Sequence, residues 1–217
     1  MPQFDTILAV ILAGLALSAT PGPSMLYVLS RSVGQSRAAG LASALGLGLG
    51  GILLAVATAM GLAATFTEFS ELVVALRYIG SAYLVWLGVG MIRDSRTSVP
   101  VAIKAQKVVP SSFRTIIYQG VLIELLNPKT VLFFALFLPP FIDTTSGQAT
   151  ETSVQIQLLT LGVLVPLTAI PSDIFVAYMG GTMTQVLKRQ EIFGKFLAWI
   201  GGLTLIAIAI NLHLEFI

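Results

Sequence analysis

Residues 6–32 read TILAVILAGLALSATPGPSMLYVLSRS, an apolar run broken in its middle by Pro21-Gly22-Pro23. The run exceeds the roughly 20 apolar residues that a helix needs to cross a bilayer. Each proline removes a backbone donor and clashes with the preceding turn, so the pair interrupts the helix. In hydrocarbon, such a break persists only where it is buried in protein or lines a water-filled cavity. The stretch therefore predicts a broken transmembrane helix beside a cavity, and a simple packing kink is the alternative.

The whole chain is apolar enough to favour the lipid bilayer as its solvent. Of its 217 residues, 56% are hydrophobic and 10% are charged, and the mean hydropathy is +0.92. Soluble domains carry roughly 25% charged residues. No charge-rich stretch is long enough to form a separate soluble domain, so we expect one transmembrane domain over residues 1–217.

Six apolar segments predict an all-α membrane protein of six transmembrane helices. They cover residues 6–32, 38–64, 72–92, 115–142, 154–179 and 193–212. The first, third and fifth connections carry ten of the 12 Lys and Arg residues, namely Arg31, Arg37, Arg93, Arg96, Lys104, Lys107, Arg114, Lys188, Arg189 and Lys195. Because basic residues stay in cytoplasmic loops, both termini are expected on the opposite, external side of the membrane.

The two halves of the chain share features that predict an inverted repeat. An Ile-Gly pair occurs at 79–80 and again at 200–201, and a leucine follows each glycine four residues later. The first helix of each half carries a proline break. Each half holds three helices, an odd number, so repeat 1 (about 1–95) and repeat 2 (about 112–217) have opposite orientations. Inverted repeats with broken helices are a transporter architecture whose substrate site lies near the midplane.

Helix 2 carries small residues at a spacing that is typical of close helix packing. Ala42, Gly46 and Gly50 recur every four residues, and Gly48 and Gly51 lie beside them. Small residues at this spacing let helix backbones approach each other inside a membrane. We therefore predict a packing face here, and a smooth wall of a substrate cavity is the alternative.

Asn127-Pro128-Lys129 breaks helix 4 and adds a cation about midway along an apolar segment. Charges at that depth are costly and usually mark a substrate or ion pathway. Glu124 precedes the break by one turn, and Asp173 lies in helix 5. A carboxyl group inside a membrane either holds a proton or pairs with a cation. Both are therefore candidates for a proton carrier or an ammonium partner, unless they only form a structural ion pair with Lys129.

The sequence argues against several other functions. It has no Cys, and the single His213 cannot supply the three or four ligands of a zinc site, so no metal or cofactor is expected. The basic residues lie in short loops, which disfavours nucleic acid as a partner. No phosphate-binding loop and no nucleophile–base pair is visible, so we expect no enzyme. A small-solute channel and a cation or metal exporter of the same architecture stay open as alternatives.

Three motifs carry a resemblance to a known family. They are Thr20-Pro21-Gly22-Pro23 in helix 1, Gly80-Ser81-Ala82-Tyr83-Leu84 in helix 3 and Leu126-Asn127-Pro128-Lys129-Thr130 in helix 4. With these motifs, and with Asp173 in helix 5, the chain resembles the LysE/RhtB family of bacterial amino-acid exporters along nearly its whole length. It departs from the family pattern at Glu124, where a small polar residue is expected, and at the extra prolines of helix 5.

The resemblance implies a secondary active exporter of amino acids or their derivatives in the bacterial inner membrane, driven by proton antiport. We predict that a small zwitterionic substrate contacts the two breaks, at Pro21, Gly22, Pro23, Asn127, Pro128 and Lys129. Asp173 and Glu124 are the predicted partners of its ammonium group or of the proton. The sequence identifies neither the particular amino acid nor the oligomeric state, so a homo-oligomer stays open as an alternative.

Overall fold

The fold is given by a computed structural model that describes residues 2–19, 22–68, 70–96, 109–143, 150–180, 195 and 199–211. Every regular element within these residues is a helix. The helices are α1 (Phe4–Ala19), α2 (Pro23–Gly34), α3 (Arg37–Glu68), α4 (Ser70–Arg96), α5 (Phe113–Leu125), α6 (Pro128–Leu132), α7 (Glu151–Met179) and α8 (Trp199–Asn211). The predicted all-α class is therefore confirmed for the described part of the chain.

A break interrupts each of the two helices in which the sequence predicts one. The axes of α1 and α2 differ by 53°, and those of α5 and the helical stretch from Pro128 to Phe141 differ by 48°. Proline occupies the first position of both α2 and α6, where its fixed φ angle suits a helix start and its missing N–H costs nothing. Pro21 itself lies outside the described residues.

Two helices, α3 over Arg37–Gly61 and α7, are each long and apolar enough to cross a membrane. The number rises to four if each bent pair counts as one span. α4 covers the third predicted helix, and α8 covers the described part of the sixth. α7 stays helical through Pro166 and Pro171. The described residues thus support a multi-pass membrane protein, whereas the six-span inverted repeat stays a prediction.

α3 lies between α5 and α7 and contacts both through its small residues. A Cβ added to Gly40 would lie 3.2 Å from that of Ala177, and a Cβ added to Gly162 would lie 2.9 Å from that of Ala55. Residue numbers therefore rise along α3 as they fall along α7, so the two helices are antiparallel. Their backbones approach closely because glycine presents no side chain at these crossings.

The predicted packing face of helix 2 meets α5. A Cβ added to Gly46 would collide with the carbonyl oxygen of Ile117, and one added to Gly50 would lie 2.7 Å from the Cβ of Glu124. These contacts confirm close packing at both glycines. They also place Glu124 directly beside α3, at the level of Gly50.

The chain beyond α6 supplies the aromatic part of the core. α6 continues through a π-helical turn at Phe133–Phe137 and a 3₁₀ turn at Pro139–Phe141. Phe133, Phe134 and Phe137 are fully buried, and the rings of Phe133 and Phe137 stack with centroids 4.2 Å apart. This packing holds the second half of broken helix 4 against α4 and α7.

Arg31 differs from its sequence-based prediction. We counted it among the basic residues of the first connection, but it lies in the last turn of α2 and is only 8% exposed. The guanidinium group can enter the protein because Gln119 and the carbonyl of Val109 accept its hydrogen bonds. We refer to the end of the bundle that carries Arg31, Arg37 and Arg114 as the basic end.

Candidate functional site

A cavity lies between the two helix breaks. It has about 70 Å³ of space for the centres of water molecules, each of which needs roughly 10–15 Å³. Its wall includes five of the predicted site residues, namely Gly22, Glu124, Asn127, Lys129 and Asp173. Pro23 and Pro128 are exposed at the starts of α2 and α6 and are not in the wall. The structure thus brings together groups that are separated by up to about 150 residues in the sequence.

Ser24 joins the two broken helices and was missed by sequence reasoning. Its hydroxyl donates to Glu124 Oε2 at 2.5 Å and accepts from Asn127 Nδ2 at 2.9 Å. The other amide atom of Asn127, Oδ1, accepts from the backbone N–H of Lys129 at 3.1 Å and so caps α6. The only sequence signal for Ser24 is its position directly after Pro-Gly-Pro.

Lys129 crosses from one break to the other. Its Nζ donates to the carbonyl oxygen of Leu17 in α1 at 2.7 Å. In an unbroken helix that carbonyl would accept from the N–H of residue 21, and residue 21 is a proline without an N–H. The ammonium group therefore satisfies a carbonyl that the sequence leaves without its usual donor. Because its ammonium group binds α1, Lys129 does not extend away from the cavity toward a membrane interface.

Asp173 reaches the cavity from α7 and is only 8% exposed. Among the described residues, no hydrogen bond or ion pair to its carboxylate is found, in contrast to Glu124, which accepts from Ser24. Buried carboxylates normally have a partner because desolvation without one is costly. The side chain therefore presents a carboxyl group to whatever occupies the cavity.

The charged groups in the described wall of the cavity do not balance. Glu124 and Asp173 contribute two carboxyl groups, and Lys129 contributes one ammonium group. When all three are ionised the wall carries one uncompensated negative charge, which is expensive in a low-dielectric interior. One proton or one bound cation restores the balance.

The first turn of α2 supplies a second polar feature of the wall. Gly22 precedes the helix, and no side chain of the described residues caps it, whereas Asn127 caps α6. Ser24 and Met25, whose backbone N–H groups belong to this turn, line the cavity. Uncapped amides and the positive end of the helix dipole favour a negative group at this position.

Most of the remaining wall is apolar, and Ser18 and Thr130 are its further polar residues. Leu17, Leu47, Phe134, Val165 and Pro166 face the cavity together with several glycines. A side chain with little or no polarity can be accommodated against such a surface. The cavity thus combines an anion-favouring helix end, an excess carboxyl group and an apolar wall.

Comparison with known proteins shows sequence similarity to membrane proteins of one family along nearly the whole chain. The family model for LysE type translocators matches residues 15–215. An uncharacterized membrane protein of Synechocystis is 32% identical over 211 residues, which is 96% of each chain. A leucine efflux protein of Enterobacter is 30% identical over 192 residues, covering 88% of this chain and 87% of its own.

A further relative is similar over a shorter region. An uncharacterized membrane protein of Pseudomonas aeruginosa is 38% identical over 128 residues, so this chain covers 57% of its length. No solved structure matches the chain.

Proposed function

Because the chain belongs to the LysE type translocator family, we propose that it is a secondary active exporter of an amino acid or amino-acid derivative, driven by proton antiport. The observation that carries this proposal is the cavity wall, which holds two carboxyl groups against one ammonium group among its described residues. The proposal includes the predicted membrane arrangement of six spans in two inverted repeats, with both termini external.

The carboxylate of a zwitterionic substrate binds at the first turn of α2. Its oxygens accept from the uncapped amides of that turn, and the helix dipole adds an attraction. Lys129 contributes a positive charge on the adjacent wall while its Nζ holds the carbonyl of Leu17. This end of the cavity therefore favours a carboxylate over a neutral group of the same size.

The ammonium group of the substrate binds at Asp173. This carboxyl group has no hydrogen-bond partner among the described residues, so a proton or an ammonium can satisfy it, but both cannot do so together. Competition between the two cations for one carboxylate gives antiport without any further component. Glu124 contributes its charge to the same cavity but is engaged by Ser24, so it is the second choice for this role.

The apolar wall favours a substrate with an aliphatic side chain. Leu47, Phe134 and Val165 present hydrocarbon to the cavity, and none of them can satisfy a polar side chain. Relatives named leucine efflux protein are consistent with this preference. We therefore choose leucine as the probe of transport.

The proposal is tested by reconstituting the purified protein into liposomes whose lumen is more acidic than the outside medium. We expect radiolabelled leucine to accumulate above its external concentration, by up to about tenfold per pH unit for one-to-one exchange. A protonophore should abolish this accumulation. Simple equilibration that ignores the pH difference would instead identify a channel and contradict the proposal.

A further inference from the structure

Arg31 is a buried cation without an acidic partner among the described residues. Its Nη2 donates to Gln119 Oε1 at 2.7 Å, and its Nη1 donates to the carbonyl of Val109 at 3.2 Å. Longer contacts of 3.4 Å reach Gln35 Oε1 and Ser111 Oγ. Every one of these acceptors is neutral. The guanidinium carbon also lies 5.6 Å from the centre of the Tyr27 ring, which attracts a cation but carries no opposite charge. A buried charge is costly unless it is paired with an opposite charge, so this arrangement calls for an explanation.

Arg31 lies on the route from the basic end to the cavity. It is seven residues, or about 10 Å of helix, beyond Ser24, which lines the cavity. Between the two positions, the Tyr27 hydroxyl donates to the carbonyl of Ile116 at 2.9 Å and contacts Gln119 Oε1 at 3.1 Å. We call Tyr27, Arg31, Ile116 and Gln119 the α2–α5 seam.

The contacts that define the α2–α5 seam are hydrogen bonds. The apolar residues of this half of α2, Val28 and Leu29, pack mainly against α3 and α7, and Ile123 of α5 packs on the same cluster. A seam held by hydrogen bonds separates at a lower cost than an apolar interface, because water can satisfy its polar groups. α2 and α5 are also the helices that end at the two breaks, so their separation opens the cavity toward the basic end.

We propose that Arg31 is a receiving site for the carboxylate of the substrate, at the point where it enters from the basic end. This inference rests on the proposed export function and adds a second site to it. When the seam opens, a carboxylate replaces the neutral acceptors of the guanidinium group. The exchange is favourable because a bidentate pair of ions forms stronger hydrogen bonds than an ion with neutral groups. The substrate then moves along the seam to the first turn of α2.

A structural role for Arg31 is the competing explanation. In that case the guanidinium group only ties α2 to α5 and to the segment at Val109. Its loss would then slow transport equally from both sides of the membrane and would not depend on the carboxylate of the substrate. The two explanations therefore differ in sidedness and in ligand chemistry.

The test measures the KM for leucine separately at each face, in inside-out and right-side-out membrane vesicles. The variants are Arg31→Gln and Arg31→Lys, and the matched control is Arg37→Gln, which removes an exposed charge from the same end. In the proposed membrane arrangement the basic end is the cytoplasmic face. We expect Arg31→Gln to raise the KM at this face about tenfold and to leave the external KM unchanged. Arg31→Lys should recover part of the loss, because it keeps the charge but not the bidentate geometry.

Leucine amide, which lacks the carboxylate, distinguishes a loss of carboxylate binding in Arg31→Gln from a loss of folded protein. The wild type should discriminate against the amide at the cytoplasmic face, and Arg31→Gln should lose about tenfold of that discrimination. The receiving site is overturned if Arg31→Gln raises the KM for leucine at both faces, only at the external face, or at neither face. Failure of the wild type to transport leucine at all would count against the proposed function instead, because it does not involve Arg31.

Discussion

At the scale of single residues, the missing N–H group of Pro21 explains why Lys129 contacts α1. The proline leaves the carbonyl of Leu17 without its usual donor, and Lys129 from the other half of the chain supplies one at 2.7 Å. The sequence alone identified Lys129 and Asp173, because charges inside apolar segments are rare. It could not identify Ser24 or the Leu17 carbonyl, because those contacts depend on how segments about 100 residues apart are brought together.

This dual role of Lys129 leads to a prediction for Lys129→Met. The substitution keeps the length and the hydrophobic stem but removes both the positive charge and the donor to Leu17. We expect the KM for leucine to rise about tenfold, and the free energy of unfolding to fall by about 1 kcal/mol because the hydrogen bond between the Lys129 ammonium and the Leu17 carbonyl is lost. Transport assays and thermal denaturation in detergent would check the two effects. An unchanged KM would show that Lys129 is only structural.

At the scale of helices, local rules predict the breaks well and the packing less well. Proline at 23 and 128 defines where α2 and α6 begin, and this effect depends on backbone chemistry alone. The spacing of Gly46 and Gly50 correctly predicts a close crossing, but not that the partner is α5. The side of α3 that meets α7 instead carries Gly51 and Ala55, which the four-residue pattern of Gly46 and Gly50 does not include.

The glycine face of α3 gives a prediction about folding. Gly46→Leu should strongly reduce the yield of folded protein, because even its Cβ would collide with the carbonyl oxygen of Ile117. Overpacking of this kind costs about 1–3 kcal/mol or more. Leu53→Ala, on the exposed side of the same helix, should leave the yield nearly unchanged. Size-exclusion chromatography of fluorescent fusions would compare them, and equal yields would contradict tight packing at Gly46.

At the scale of the whole molecule, the basic end relates the fold to the membrane. Arg31, Arg37 and Arg114 lie at the ends of α2, α3 and α5 that meet there, and Gly180 after α7 approaches Ser32 at the same end. Clustering of positive charge at one end agrees with a cytoplasmic location. The orientation stays a prediction from the charge count, which assigned to loops several residues that lie at helix ends, among them Arg31, Arg37 and Arg114.

The orientation gives a prediction of its own. A reporter fused after Arg96 should be active in the cytoplasm, and one fused after Glu215 should be active outside, because ten of the 12 basic residues lie in or next to the connections predicted to be internal. Paired fusions of an enzyme active only in the cytoplasm and one active only outside would locate both points. Finding both points in the cytoplasm would exclude the inverted repeat as oriented here.

If Asp173 carries the proton that drives export, as we propose, Asp173→Asn should uncouple leucine transport from the pH difference. The measurement is accumulation of radiolabelled leucine in liposomes with an acidic lumen, together with leucine–leucine exchange at equal pH. Asp143→Asn serves as the control because Asp143 is an exposed acidic residue outside the cavity wall. We expect Asp173→Asn to fold and to lose the pH-driven accumulation, while the control behaves as the wild type. Accumulation at the wild-type level by Asp173→Asn would show that Asp173 does not carry the driving proton.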